Sequence, residues 1–226
     1  MDGRVDAKRT VVVAVDFQPE CASGDGAWPI HNGAEVLKNA ALVLAAARRA
    51  GLPILYTKHV LDPAGLDSFR YEPRSESGRP LHSVRGDRKG EICDEVAPMS
   101  NDIIVEKQRW SGFYGTKMDL VLRRLDAIHL IMMGIWTESC FETTVWDALW
   151  RDYKITIVKD ACSSATELMH MTAILDMANW LYGGMIISAA EVVKAIDGQP
   201  YKAWHFELPS QFKYTLANIG ELYGSI

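Results

Sequence analysis

No apolar run in the 226-residue chain is long enough to cross a bilayer. The opening stretch from Met1 to Arg9 is polar, so no cleaved leader is expected ahead of the first strand. Cysteine is sparse: Cys21, Cys93, Cys140 and Cys162 are scattered, with no C-x-x-C pair. That spacing argues against a disulfide framework or a zinc ribbon and fits free thiols in a reducing, cytoplasmic compartment. Charge of one sign is also missing. With 24 basic and 29 acidic residues the net charge is −5, which disfavours nucleic acid or an anionic membrane as partner. No clustered ligand set calls for a metal, and no motif calls for a cofactor. No repeat, linker or low-complexity tract divides the chain. A single domain over residues 1–226 is expected, with a core at about 10–197 and an aromatic tail at 198–226.

What is present is an alternation of β-branched apolar runs and helical patterns. Strands are expected at Thr10 to Val15, Pro53 to Thr57, Ile103 to Val105, Ile128 to Met133, Ile155 to Val158 and Met185 to Ile187. Helical spacing occupies Ala34 to Ala50, Thr116 to Leu125, Ser139 to Arg151 and Glu167 to Leu181. Ser188 and Glu191 open a last helix with a capping-box pattern. The stretch from Asp62 to Gly90, rich in Pro, Gly, Arg and Ser, reads as a long functional or partner-binding loop. The tail carries Trp204, Phe206, Phe212, Tyr214 and Tyr223, too apolar for disorder, and is expected to wrap this domain or a neighbouring subunit. Alternating strands and helices imply an α/β fold: a mostly parallel six-stranded sheet between two helical layers.

Ligands of such sheets sit beyond the carboxyl ends of the strands. Three polar residues stand at those ends. Asp16 closes the first strand, Lys107 lies two residues past Val105, and Cys140 follows the fourth strand across the break at Gly134. A thiol in the first turn of a helix gains from the free N–H groups there, and a nearby ammonium adds to the effect. The spacing therefore predicts a lowered Cys140 pKa, with Asp16 as the proton carrier. The plainer alternatives are a filler cysteine, a turn-forming aspartate and a solvated lysine.

Four segments carry a resemblance: Val13 to Gln18, Val105 to Thr116, Gly134 to Cys140 and Ile157 to Ala161. Together they resemble the isochorismatase-like cysteine hydrolases, over about residues 10 to 190. The family includes nicotinamidases, N-carbamoylsarcosine amidase, ureidoacrylate amidohydrolase and biuret hydrolase. The resemblance implies a Rossmann-like three-layer α/β/α fold and a catalytic triad of Asp16, Lys107 and Cys140. It further implies a cis peptide at Ile135–Trp136 and an oxyanion site made by the backbone N–H groups of Trp136 and Cys140. It points to a homo-oligomer, a dimer or tetramer. The rings of Trp136 and Phe141 depart from the usual family pattern and are expected to reshape the pocket. The Asp-x-His metal motif of nicotinamidases is absent after the second strand, where His59 stands alone as a structural or substrate-binding residue.

The segment Arg109 to Tyr114 is most similar to the linear ureido and N-carbamoyl amidohydrolases. The resemblance thus implies a small amide or ureide substrate, such as biuret, triuret or ureidoacrylate. Gln18, Arg109, Trp110, Phe113, Trp136 and Phe141 are the candidate substrate contacts. Arg109 or a loop arginine (Arg70, Arg74, Arg79 or Arg85) is a candidate to hold a carboxylate or carbonyl. Two competing readings are isochorismate-type vinyl-ether hydrolysis, which does not need the cysteine, and a non-catalytic binding protein on the same fold.

Overall fold

The computed structural model describes residues 5–226. Of the polar opening stretch, residues 1–4 therefore lie outside the described residues. The chain builds one seven-stranded sheet in the order β3-β2-β1-β4-β5-β6-β7. Its strands are β1 (Thr10–Val15), β2 (Ile54–His59), β3 (Ile103–Lys107), β4 (His129–Ile135), β5 (Lys154–Ser163), β6 (Met185–Ile187) and β7 (Trp204–His205). β1 to β6 run parallel, and β7 pairs antiparallel with β6. Every residue of β1 is buried, as a central strand covered on both faces requires.

Helix α1 (Pro19–Ala22) is a single turn after β1. Helices α2 (Gly33–Arg49) and α6 (Ala189–Ile196) pack together and against β5, while α4 (Glu142–Leu149) and α5 (Glu167–Ala178) also contact β5. Between α2 and α4 comes α3 (Met118–Arg124), and the chain closes on α7 (Ile219–Gly224), which packs on α5. Ser188 caps α6 by accepting from the Glu191 N–H. The reciprocal half of the capping box is not made, because the Glu191 carboxylate binds Lys194 and the Lys202 N–H instead.

Three expectations need correction. The sheet has seven strands, not six, because the tail adds β7 at its edge; a two-residue strand leaves no periodicity to read. β5 continues to Ser163 through a register irregularity opposite Met132 and Gly134. Finally, the helix carrying Cys140 begins as a π-turn, Thr137–Phe141, before α4. The tail folds back on its own domain: Phe212, Ile219 and Ile226 are buried, and Asn179 exchanges hydrogen bonds with the Phe212 backbone.

One glycine decides the geometry beside the site. Gly134 has φ +152, and a Cβ there would lie 2.4 Å from the Val15 carbonyl oxygen. Only glycine lets β4 approach β1 this closely while the chain turns toward Cys140.

Candidate active site

The strand order reverses direction between β1 and β4, so the crevice at their carboxyl ends is the natural ligand site. Asp16, the residue after β1, adopts left-handed backbone (φ 53), a conformation that aspartate tolerates better than most residues. Its Oδ1 accepts from the Thr57 hydroxyl at 2.6 Å, and its Oδ2 lies 2.6 Å from Lys107 Nζ. Lys107 ends β3, opposite His59 in the register with β2, and its side chain is fully buried. The ammonium also donates to the Arg109 carbonyl at 3.0 Å and to Cys140 Sγ at 3.4 Å. The ammonium thus makes one ion pair and two hydrogen bonds. The thiol is also within hydrogen-bonding reach of the Asp16 carboxylate.

Three side chains separated by up to 124 positions in sequence thus form one contiguous group. It lies at the floor of a cavity of about 370 Å³, walled by Trp28, His59, His82, Trp110 and Trp136 among others. A larger outer chamber of about 630 Å³ shares Trp28, His59, His82 and Trp110 with it, and adds Phe69, Tyr71, Pro73 and Leu81. The loop expected to be functional therefore supplies much of the outer wall. The Ile135–Trp136 peptide is cis. Cys21 also lines the cavity, beside Trp136.

The electrostatics overturn one expectation. Burial pushes the Cys140 thiol up to about 12; the Lys107 charge opposes this, and the Asp16 carboxylate adds to it. The helix terminus and the lysine do not prevail, because Lys107 already serves Asp16 at 2.6 Å and stands farther from the sulfur. The resting group is a thiol facing a carboxylate. Lys107 is held above its ordinary pKa: burial works against its charge, and the Asp16 carboxylate at 2.6 Å outweighs that.

Residues 10–191 match the model of the isochorismatase domain. The chain belongs to the isochorismatase family. It is similar to ureidoacrylate amidohydrolase RutB of Caulobacter segnis, 32% identical over 71% of this chain and 75% of that one. The Methylobacterium radiotolerans protein of the same name is 27% identical over 88% and 83%. Among solved structures, a cysteine hydrolase from Pseudomonas syringae pv. phaseolicola superposes with a TM-score of 0.77 at 28% identity, covering 86% of this chain and 95% of that one. N-carbamoylsarcosine amidase from Thermoplasma acidophilum gives 0.67 at 29%, covering 81% and 98%.

Within this family site the remaining candidates divide. Trp110 and Trp136 line the cavity. Gln18 also reaches it, but both ends of its amide are engaged by backbone. Its Nε2 donates to the His59 and Gly90 carbonyls, and its Oε1 accepts the His59 N–H, so it ties the loop to β2. Phe141 does not line the cavity: it is fully buried in the core. Consecutive residues on a helical turn point in different directions, so Phe141 enters the core while Cys140 borders the cavity. Phe113 is also core, packed on Tyr153 and under the Arg151 guanidinium. Arg109 points away, donating to the Asp67 and Gln108 carbonyls and lying over the Phe69 ring.

The sequence reading missed Glu20, Trp28, His82 and Ser83 as wall residues. Glu20 binds the Ser83 N–H at 2.7 Å and the Ser83 hydroxyl, locking α1 to the long loop. Its nearness to Asp16 in sequence was a usable signal; the loop residues offered none. Among the described residues, no group of three or more His, Cys, Asp or Glu side chains is placed to hold a metal, and no helix is long and apolar enough to cross a membrane.

Proposed function

We propose that the protein is a cysteine-dependent amidohydrolase that cleaves a C–N bond of a small ureido or N-carbamoyl compound, releasing ammonia or an amine. The observation that carries this reading is the single ammonium of Lys107 between the Asp16 carboxylate at 2.6 Å and the Cys140 sulfur at 3.4 Å, at the floor of an open cavity. The names of the relatives, ureidoacrylate amidohydrolase and N-carbamoylsarcosine amidase, agree with it.

The chemistry follows from the resting protonation. As the sulfur attacks the carbonyl carbon, its proton passes to Asp16, so free thiolate need not accumulate. Lys107 holds the carboxylate and offsets the charge developing on sulfur. The carbonyl oxygen becomes an oxyanion facing the N–H groups of Trp136 and Cys140, the donors that the family resemblance assigns; one such donor is worth about 3 kcal/mol. Asp16 returns the proton to the departing nitrogen, leaving the carbamoyl carbon on sulfur as a thiocarbamate, the thioester counterpart for a ureide. Water that gives its proton to Asp16 then attacks that carbon, and the departing sulfur takes the proton back from Asp16, restoring the thiol.

A homo-oligomer of two or four chains belongs to the same reading, supported by the exposed Trp150, Trp180 and Tyr182 around one shallow depression. Light scattering tests it, and a monomer would remove it. For the activity, ammonia release is measured across nicotinamide, N-carbamoyl amino acids, ureidoacrylate, biuret and triuret, before and after iodoacetamide. Release that stops on alkylation of Cys140 is expected; release from no compound would leave a non-catalytic binding protein.

A further inference from the structure

The π-turn that carries Cys140 has two sides. Ser139 and Cys140 border the inner cavity, whereas Thr137 is fully buried and lines neither chamber. Among the described residues, only two side chains of the turn are hydrogen-bonded to a separate element: Cys140, within the triad, and Thr137. The Thr143 and Thr144 hydroxyls hold the Ser139 and Cys140 carbonyls at 2.7 and 2.6 Å, but both belong to α4, which continues the turn. Beyond the triad, Thr137 is therefore the turn's own polar tether. Its hydroxyl lies 2.8 Å from His170 Nδ1 on α5, and His170 Nε2 lies 3.0 Å from the Tyr223 hydroxyl on α7.

This chain is complete in either tautomer of the ring. Burial lowers the His170 pKa to about 4, and the Lys159 and His31 charges add to it, so the ring is neutral with one donor and one acceptor. Each hydroxyl supplies whichever role the facing nitrogen needs. His170 is itself buried, so a lost partner would leave a ring nitrogen unpaired. The far end is held firmly. Lys159 on β5 donates to the Tyr223 and Ile226 carbonyls and stands 4.6 Å over the Tyr223 ring, which meets His170 edge to face at 5.5 Å. Ile219 and Ile226 bury the apolar side of this segment. An element far from Cys140 in sequence is thus connected to its turn by two hydrogen bonds.

We propose that Thr137, His170 and Tyr223 are positioning residues for the reaction: their chain sets the π-turn, so α7 governs the placement of the Cys140 sulfur without touching the cavity. The inference rests on the amidohydrolase reading and deepens it. The sulfur must meet Asp16 and Lys107 on one side and a carbonyl carbon on the other, and a misplacement near 1 Å costs about 100-fold in rate. None of the three residues lines either chamber, so substrate binding should not register their loss. The loss should fall on kcat, with KM unchanged.

The test measures ammonia release from whichever compound of the amide panel the wild type uses, in Tyr223→Phe, Thr137→Val and Thr137→Ser. Tyr223→Phe deletes one hydroxyl and keeps the ring beneath Lys159. Its kcat should fall about tenfold, the scale of one hydrogen bond to a buried group, with KM within about twofold. Thr137→Val should lose at least as much, and Thr137→Ser, which keeps the hydroxyl, should recover most of it. The double variant Tyr223→Phe/Thr137→Val should be no slower than Thr137→Val alone, because both changes act through one chain. Urea midpoints establish that each variant is folded at the assay temperature. Iodoacetamide labelling, read on the Cys140 peptide, reports the sulfur's placement without any substrate. It should slow several-fold in Tyr223→Phe and Thr137→Val, since a displaced thiol gives up its proton to Asp16 less readily, and stay at the wild-type rate in Thr137→Ser. A wild type that releases ammonia from nothing on the panel would remove the amidohydrolase reading, and the labelling rates alone would then decide the positioning role. Folded Tyr223→Phe and Thr137→Val with wild-type kcat and wild-type labelling would overturn the proposal and leave the chain purely structural. Equal losses in Thr137→Val and Thr137→Ser would overturn it as well, because the hydroxyl would not be the operative group.

Discussion

Cys140 and Cys162 lie on neighbouring parts of the same sheet edge, since Cys162 pairs in register with Gly134, six residues before Cys140. Burial pushes both thiols up. Their surroundings differ in kind. Cys162 sits in the hydrocarbon core, and its Sγ donates to the Val158 carbonyl at 3.3 Å. Cys140 has an ammonium at 3.4 Å, a carboxylate within reach and an opening to the cavity. Desolvation alone therefore does not mark a nucleophile. A base and a cation beside the sulfur, with room for a substrate, make the difference.

Substitution of the two cysteines should separate them most widely. Cys140→Ser is expected to lower kcat about 10⁴-fold or more, the scale of losing a nucleophile from an interdependent triad. Cys162→Ser should leave kcat within a few-fold and instead cost stability, about 1–3 kcal/mol for a hydroxyl buried in an apolar site. Steady-state kinetics and urea midpoints on both variants check this pair.

The next effect is on stability. Lys107→Met removes one half of a fully buried ion pair and strands Asp16, which should cost about 3–5 kcal/mol and abolish turnover. A methionine variant as stable as wild type would mean that the pair is far better solvated than its burial implies.

The third concerns pH. Because burial and Asp16 hold Cys140 high, its labelling by iodoacetamide should climb steadily through pH 9, while Cys162 stays unlabelled until the protein unfolds. A plateau below pH 8 would restore the low-pKa thiolate expected from the helix terminus.

The smallest effect is acid lability. Burial lowers His59 to about 3, and His129 and His170 to about 4, from an ordinary 6.5. Between pH 6.5 and 4 the unfolded chain binds protons that the native fold refuses, so stability should fall as pH falls through that window. Urea midpoints measured from pH 7.5 to 4.5 test the sign. Glu142, which burial raises to about 7, gains its proton in the fold over part of that window and offsets some of the loss. A profile in which stability rises as pH falls would contradict the histidine account.

The same contrast explains how much was legible beforehand. The floor of the site was readable because each residue is tied to a strand end, and strand ends follow from apolar runs bounded by turn residues. Asp16, Lys107 and Cys140 all met this condition. Trp110 and Trp136 on the wall were named beforehand, but the rest was not readable, because Trp28, His82 and Ser83 lie on segments without periodicity. Their convergence depends on long-range contacts such as the bond from Glu20 to Ser83. Phe141 and Phe113 were misassigned for a different reason: proximity in sequence to a functional residue says nothing about which way a side chain points. The thiol pKa was misjudged because burial of the sulfur, the largest effect, leaves no mark in the sequence, and the lysine credited to it is paired more closely with the carboxylate.

Trapping the covalent intermediate tests the central claim most directly. The protein, incubated with whichever ureide it releases ammonia from, is quenched in acid and digested, and the peptide carrying Cys140 is weighed. An acyl adduct on Cys140 that hydroxylamine removes, absent in Cys140→Ser, is the predicted result. Sustained turnover with Cys140 unmodified, or ammonia released by the serine variant at the wild-type rate, would contradict it.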